Sequence, residues 1–312
     1  MRLGFPVRAV GCPASIQSDG GGEGERHLSL ALMALGDMVR YLSDKGIRLY
    51  RLHARTVPQW AGQDANAWAG ALDENARMLE LLTHSLRTAD LRLTLHPYAD
   101  VVLNAPDAER VEWARGQLDA QARLLQALGQ GREGSIVLHV GGVYGDARQA
   151  RERFCASFER LSPAVQTRLA LEHDDRRFDL ADVLWIQARC GVPIVFDTLH
   201  HRVLNRSGLS RREGLESALG SWPEGLTPLI HYAAPRSEMR RARGDRIKAP
   251  TWTEHADYVN PFEFADWLYG CEGLPDFDIM LEAKARDLAL LQLRQDLVRF
   301  SPQLLERHPG LA

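Results

Sequence analysis

RLALEHDDRRFDLADVLWIQARCGVPIVFDTLHH (168–201) holds two short apolar runs, RLALE and PIVFD, separated by a longer segment of helical period. Runs of five residues with little polar alternation suit strands buried on both faces, as in a parallel sheet. Each run ends on a carboxylate, Glu172 and Asp197. A strand, a helix and a second strand of these lengths predict one βαβ unit whose two strands finish at the same edge.

The same grammar extends in both directions. Strands are predicted over 2–6, 47–52, 91–96, 135–139, 168–172, 193–197, 227–231 and 277–282. Helical periodicity fills the intervals, for example LSLALMALGDMVRYLSDKG (28–46), NARMLELLTHSLRTAD (75–90), RVEWARGQLDAQARLLQALG (110–129) and the segment starting at Asp146. Eight alternating units predict an α/β fold, a (β/α)8 TIM barrel in which residues 1–312 form one domain.

In such a barrel the C-terminal ends of the strands share one rim, where catalytic groups collect. Six predicted strands reach that rim on a histidine or carboxylate: His96, His139, Glu172, Asp197, His231 and Glu282. His200, three residues beyond Asp197, and His255, in the long loop after strand 7, extend the set. Five histidines and three carboxylates exceed what one ion needs, and a bridging carboxylate such as Glu172 suits two or three divalent ions. Mixed nitrogen and oxygen ligation favours Mn²⁺, Zn²⁺, Fe²⁺ or Co²⁺ over Mg²⁺ or Ca²⁺, with Mn²⁺ the first expectation.

Composition narrows the classes. The 312 residues are 45% hydrophobic with a net charge of −3, so a large core is available and a generally basic nucleic-acid binder is excluded. MRLGFPVRAV at the N-terminus has no apolar core of signal-peptide length, and no stretch has the apolar length of a membrane span, so a cytoplasmic protein without membrane contact is expected. Cys12, Cys155, Cys190 and Cys271 are isolated, with no C-x-x-C spacing. G-x-S-x-G and G-x-x-x-x-G-K are absent, which removes a serine nucleophile elbow and a P-loop.

Two loops on the predicted catalytic face are long. GCPASIQSDGGGEGER (11–26) is glycine-rich and suits a mobile lid. The loop after strand 7 (236–261) carries six cations between Arg236 and Lys248 against Glu238 and Asp245. Beside a metal rim, Arg236, Arg240 and Arg241 suit a phosphate clamp, because a guanidinium presents a planar fork of donors. Clustered ions and a cationic loop point to phosphodiester hydrolysis.

The segments IRLYRL (47–52), LHP followed by VVLNAPD (95–107), LHVGG (138–142), LEHDD (171–175), VFDTLHH (195–201), IH (230–231), EHADYV (254–259) and LEAKARD (281–287) resemble the UV damage endonucleases. These are metal-dependent barrel enzymes related to endonuclease IV and the xylose isomerase-like group. The resemblance runs in order through most of the chain. It implies incision of damaged double-stranded DNA immediately 5′ to a distorting lesion, leaving a 3′-hydroxyl and a 5′-phosphate, by an enzyme that works as a monomer. It also implies His96, His139, Glu172, Asp197, His200, His231, His255 and Glu282 as metal ligands. Glu172 and Glu282 then act at the reacting centre, and Lys284 of the EAK motif reaches the scissile phosphate or supports Glu282.

The chain departs from the family pattern where a lesion is sensed. Family members read His-Pro-x-Gln-aromatic after strand 3, whereas this chain has Tyr98, Ala99 and Asp100. Ala99 cannot hydrogen-bond a base, which leaves Tyr98 and Tyr144 as stacking candidates. Asn104, Arg236, Arg240 and Arg241 complete the expected substrate-binding set. Phe5 stands where some relatives carry tyrosine, and His173 replaces an asparagine after the strand 5 glutamate. The alternative is a single-metal sugar isomerase or epimerase on the same barrel, with Glu172, Asp197, His231 and Glu282 holding one ion. That chemistry leaves four rim histidines and the arginine loop without a task.

Overall fold

The computed structural model describes residues 1–12, 16–17, 27–241, 244 and 246–312. Its centre is a closed barrel of eight parallel strands: β1 (Leu3–Pro6), β2 (Leu49–Leu52), β3 (Arg92–Leu95), β4 (Ser135–His139), β5 (Leu169–Glu172), β6 (Ile194–Asp197), β7 (Leu229–Tyr232) and β8 (Asp278–Leu281). Each strand pairs with its sequence neighbour, and β8 returns to β1. All eight predicted strands are present, with ends shifted by no more than two residues. His96 and Glu282 fall just past the ends of β3 and β8.

Period-two alternation sorts the strand residues into two apolar populations. Leu3, Phe5, Tyr50, Leu93, Leu95, Ile136, Leu138, Leu171, Phe196, Ile230 and Ile279 face the helices and join one large core. Leu49, Val137, Ala170, Val195, Leu229 and Met280 face the barrel axis and form a separate small cluster. Both faces are dry, which is why these strands read as unbroken apolar runs.

Counting along the inward face gives three layers. Arg92, Ser135 and Asp278 lie at the N-terminal ends, the six apolar residues lie in the middle, and Arg51, His139, Glu172, Asp197, His231 and Glu282 follow two residues later. Buried Thr94 and Gly4, the latter opposite both Leu49 and Met280, complete the middle layer. A Cβ there would sit 2.3 Å from the Leu49 carbonyl oxygen, so only glycine lets β1 close the barrel.

The helical segments named from periodicity form at Leu28–Asp44, Ala76–Thr88, Ala108–Ala127 and Ala147–Glu159. Asp107 and Asp146 cap the last two, each accepting two backbone N–H groups that would otherwise be orphaned. Asp179 and Ser210 start later helices as full capping boxes. Most of the predicted lid, 13–15 and 18–26, lies outside the described residues. Its described part, Ile16–Gln17, pairs antiparallel with Arg8–Ala9. No helix among the described residues is long and apolar enough to cross a membrane.

Candidate metal centre

Strand register assembles the rim. His139 is paired with Glu172 across β4 and β5, and Asp197 with His231 across β6 and β7. Neighbours in register point to the same side, so two histidine–carboxylate pairs project together above the apolar layer.

Glu172 is the hub. It is buried, and its two oxygens face different partners: Oε2 lies 3.4 Å from His96 Nε2 and 3.6 Å from His139 Nε2, while Oε1 lies 3.2 Å from His200 Nδ1 and 3.1 Å from His231 Nδ1. His231 also approaches Glu282 Oε1 at 3.5 Å, and Glu282 Oε2 is 3.7 Å from His255 Nδ1. Three sets of ligand atoms are each compact enough for an ion: His96, His139 and Glu172; Glu172, Asp197 and His200; Asp197, His231 and Glu282. Glu172 and Asp197 each belong to two sets, so adjacent ions would share a carboxylate. His255 lies outside these three sets and borders the third through Glu282.

Backbone carbonyls orient several rings. His96 Nδ1 is 3.3 Å from the Pro97 carbonyl, His139 Nδ1 is 3.2 Å from that of Glu172, and His200 Nδ1 is 3.0 Å from that of His173. A carbonyl only accepts, so Nδ1 carries the proton in each, and in His96 and His139 the Nε2 that faces Glu172 keeps its lone pair for a metal. His173 is fully buried, and its Nε2 accepts the Asp197 backbone N–H at 3.0 Å. Burial holds its pKa well below the usual range, so it remains a neutral strut beneath Asp197 and His200.

The electrostatics ask for cations. Burial opposes ionisation of Glu172, but the charges of His231 and His139 and the close approach of the His200 and His231 rings outweigh it and hold the carboxylate well below its usual range. Burial likewise opposes the charge on His200, yet Asp197, Glu172 and Glu282 push it up to about 11. Burial raises Asp197, as do the Glu172 and Glu282 carboxylates. Asp197 Oδ2 and both ring nitrogens of His231 are buried with no aligned hydrogen bond. Buried polar atoms of this kind cost stability unless satisfied, and divalent ions held by these groups would satisfy them.

The structure places the other expected residues as follows. Lys284 is partly exposed and donates to Glu254 Oε2 at 3.1 Å, so its amine holds the loop that carries His255. That loop is docked by backbone bonds from Arg236 to Glu254, from Ala256 to Ala234 and from Lys284 to Ala256. Arg236 is buried and donates to Asp257 Oδ1 at 2.6 Å, with Glu254 at 3.6 Å, which makes it a strut within the loop. Arg240 and Arg241 are exposed on a short antiparallel pairing with Ile247–Lys248, and Arg240 also contacts Glu254.

Asn104 is fully buried, and its amide donates to the Gly142 carbonyl at 2.8 Å. It supports the loop after β4 from below. On that loop Tyr144 is exposed with a left-handed backbone, φ 49°, and the Arg153 guanidinium lies 5.6 Å from its ring. Tyr98 is partly buried against the core, and Ala99 is exposed. One rim residue escaped the sequence reading: Arg51 projects inward from β2 and pairs with Glu282 Oε1. Two residues after inward Leu49, it follows the strand period, a signal that a search for histidines and carboxylates passes over.

A closed parallel barrel whose C-terminal rim gathers shared carboxylates and oriented histidines belongs among the xylose isomerase-like barrels. The pattern of the UV-endonuclease UvdE family matches residues 26–304, and the chain belongs to that family. A UV DNA damage endonuclease of Clostridium perfringens is 25% identical over 276 residues, covering 86% of this chain and 63% of that relative. The chain therefore spans somewhat less than two thirds of that relative's length. The crystal structure of SacUVDE superposes with a TM-score of 0.79 at 26% identity, covering 96% of this chain and 98% of that one. D-psicose 3-epimerase from Clostridium cellulolyticum H10 shares the fold, with a TM-score of 0.53, 13% identity and coverage of 91% and 85%.

Proposed function

We propose that this chain is a metal-dependent UV DNA damage endonuclease, hydrolysing the phosphodiester 5′ to photoproducts or other distorting lesions in duplex DNA. The observation that carries the reading is the interlocking of three metal-capable groups through Glu172 and Asp197. Divalent ions there would acidify a water at neutral pH and neutralise phosphate oxygens. The protein's own part is to orient ligands through the backbone, exclude water below the apolar layer and present cations to the DNA backbone. We place the ligands at His96, His139, Glu172, Asp197, His200, His231, His255 and Glu282, with two or three Mn²⁺ ions in a cytoplasmic monomer.

Substrate recognition is assigned to Tyr144, Tyr98, Arg240 and Arg241. Tyr144 is the better placed for stacking on an unpaired base, since its ring is exposed on a glycine-flanked loop beside His139. With exposed Ala99 where the family carries its glutamine, recognition through a specific hydrogen bond is reduced, and a broad spectrum of distorting lesions is expected. Purified protein with Mn²⁺ should nick UV-irradiated duplex DNA and leave undamaged duplex intact. Cleavage of both to the same extent would remove lesion recognition from the reading.

Metal analysis separates this proposal from the isomerase chemistry of more distant barrels. The nuclease arrangement predicts two or three ions per chain by mass spectrometry of the native protein. A single ion bound at saturation would favour the isomerase arrangement instead.

A further inference from the structure

Arg286 stands apart from the other arginines withdrawn from solvent. Arg92 donates to Glu133, Thr227, Ser135 and Asp278; Arg294 donates to the carbonyls of Lys45 and Gly46; Arg236 is held by Asp257 and Glu254. The Arg286 guanidinium is partly buried, yet among the described residues it has no hydrogen-bond or salt-bridge acceptor. Burial is the largest influence on it; the charges of Arg51 and Arg8 add to that, with Glu282 and Tyr50 opposing. Glu282 is already paired with Arg51. Arg8 is exposed at the mouth of the barrel, on the strand segment that follows β1.

Its backbone is equally unusual. Arg286 has φ 57° and ψ −124°, a conformation that glycine adopts freely and L side chains rarely do. The flanking bonds hold it there: its N–H donates to the Ala283 carbonyl, Ala285 donates to Asp257, and the next residue, Asp287, is buried and accepts from Val10, Gly11 and Tyr41. Side-chain direction is thereby fixed by strands and loops on every side. A partly buried guanidinium with no acceptor of its own, held in direction by a constrained backbone, is an arrangement that a bound anion would satisfy.

We propose that Arg286, with Arg51 and Arg8 around it, is a second phosphate-binding site of the enzyme, gripping a non-scissile backbone phosphate of the DNA strand on the β1 side of the turn after β8. The proposal rests on the endonuclease reading above. It moves the strongest phosphate contact from the arginine loop, where Arg236 and Arg240 are already paired with carboxylates, to the turn after β8. A duplex strand crossing the centre would then be held on both flanks of Glu282, by Arg240 and Arg241 on one side and Arg286 on the other.

The test uses Arg286→Gly, which removes the guanidinium while suiting the backbone, together with Arg286→Lys, which keeps the charge. Metal-loaded proteins are titrated with undamaged duplex DNA over a KCl series, and nicking of UV-irradiated duplex is followed in parallel. Each phosphate contact contributes about 0.9 to the slope of log affinity against log salt. The glycine variant is expected to bind about tenfold more weakly at low salt, with a slope shallower by about one, a raised KM and unchanged metal content. The lysine variant should retain the slope. A glycine variant with the parental slope and KM would overturn the proposal even if the wild type nicks UV-damaged DNA normally. A wild type that neither binds nor nicks DNA would overturn the endonuclease reading, and this site with it.

Discussion

Glu172→Gln is expected to reduce nicking of UV-irradiated DNA by about 10³-fold or more, the consequence of losing several kcal/mol of metal-derived transition-state stabilisation at 1.36 kcal/mol per decade. The expectation follows from what the two carboxylate oxygens do. Oε2 faces His96 and His139, Oε1 faces His200 and His231, and the residue belongs to two of the three metal-capable groups. Glutamine keeps the volume of this buried side chain but turns one oxygen into an N–H₂ group, which donates hydrogen bonds and does not ligate a cation. It also removes the negative charge that draws cations to both groups. Metal content should therefore fall by at least one ion per chain alongside activity, as read by mass spectrometry and a gel-based nicking assay on the same preparation. A variant with full metal content and parental nicking would take Glu172 out of the centre.

How much of this centre was legible in the sequence depended on what each residue type advertises. Histidines and carboxylates at the ends of apolar runs announce themselves, because a buried strand has no other reason to finish on one. His200 and His255 lie beyond strand ends and were legible by position, three residues past Asp197 and in the long loop after strand 7. Arg51 was passed over because the run IRLYRL continues to Leu52, and only the inward register, Leu49 then Arg51, separates it from its core neighbours. The arginine loop was read for its charge, yet charge alone does not reveal partners: Glu254 and Asp257 lie 14 to 21 residues from the arginines they hold, and only the folded loop shows them together. Asn104 was legible as a segment but not as a position, since its burial beneath Gly141 and Gly142 is a matter of packing.

The opposite end of the barrel was not anticipated at all, and it carries the second large expectation. Asp278→Ala should destabilise the protein by about 3–5 kcal/mol, the range found when one partner of a buried ion pair is removed. Arg92 and Asp278 are both buried, joined at 2.9 Å, and together they plug the N-terminal mouth of the barrel. Asp278 Oδ1 also accepts the Arg2 backbone N–H at 2.7 Å, tying β8 to the start of β1, where the barrel closes. Arg92 reaches the Glu133 and Thr227 carbonyls and the Ser135 hydroxyl, so one guanidinium links β3 to the entrances of β4 and β7. Alanine at 278 leaves that guanidinium charged, buried and without its counterion, because burial lowers its pKa but cannot neutralise it under ordinary conditions. Thermal melting should shift down by roughly 5–8 °C for a chain of this size. The double variant Arg92→Met, Asp278→Leu should recover part of the loss, since it removes the orphaned charge rather than the pairing alone. Single and double variants melting at the same temperature would mean that the cost lies in lost packing. Normal metal content in the folded single variant at low temperature would separate this end of the barrel from the catalytic rim, two inward layers above it.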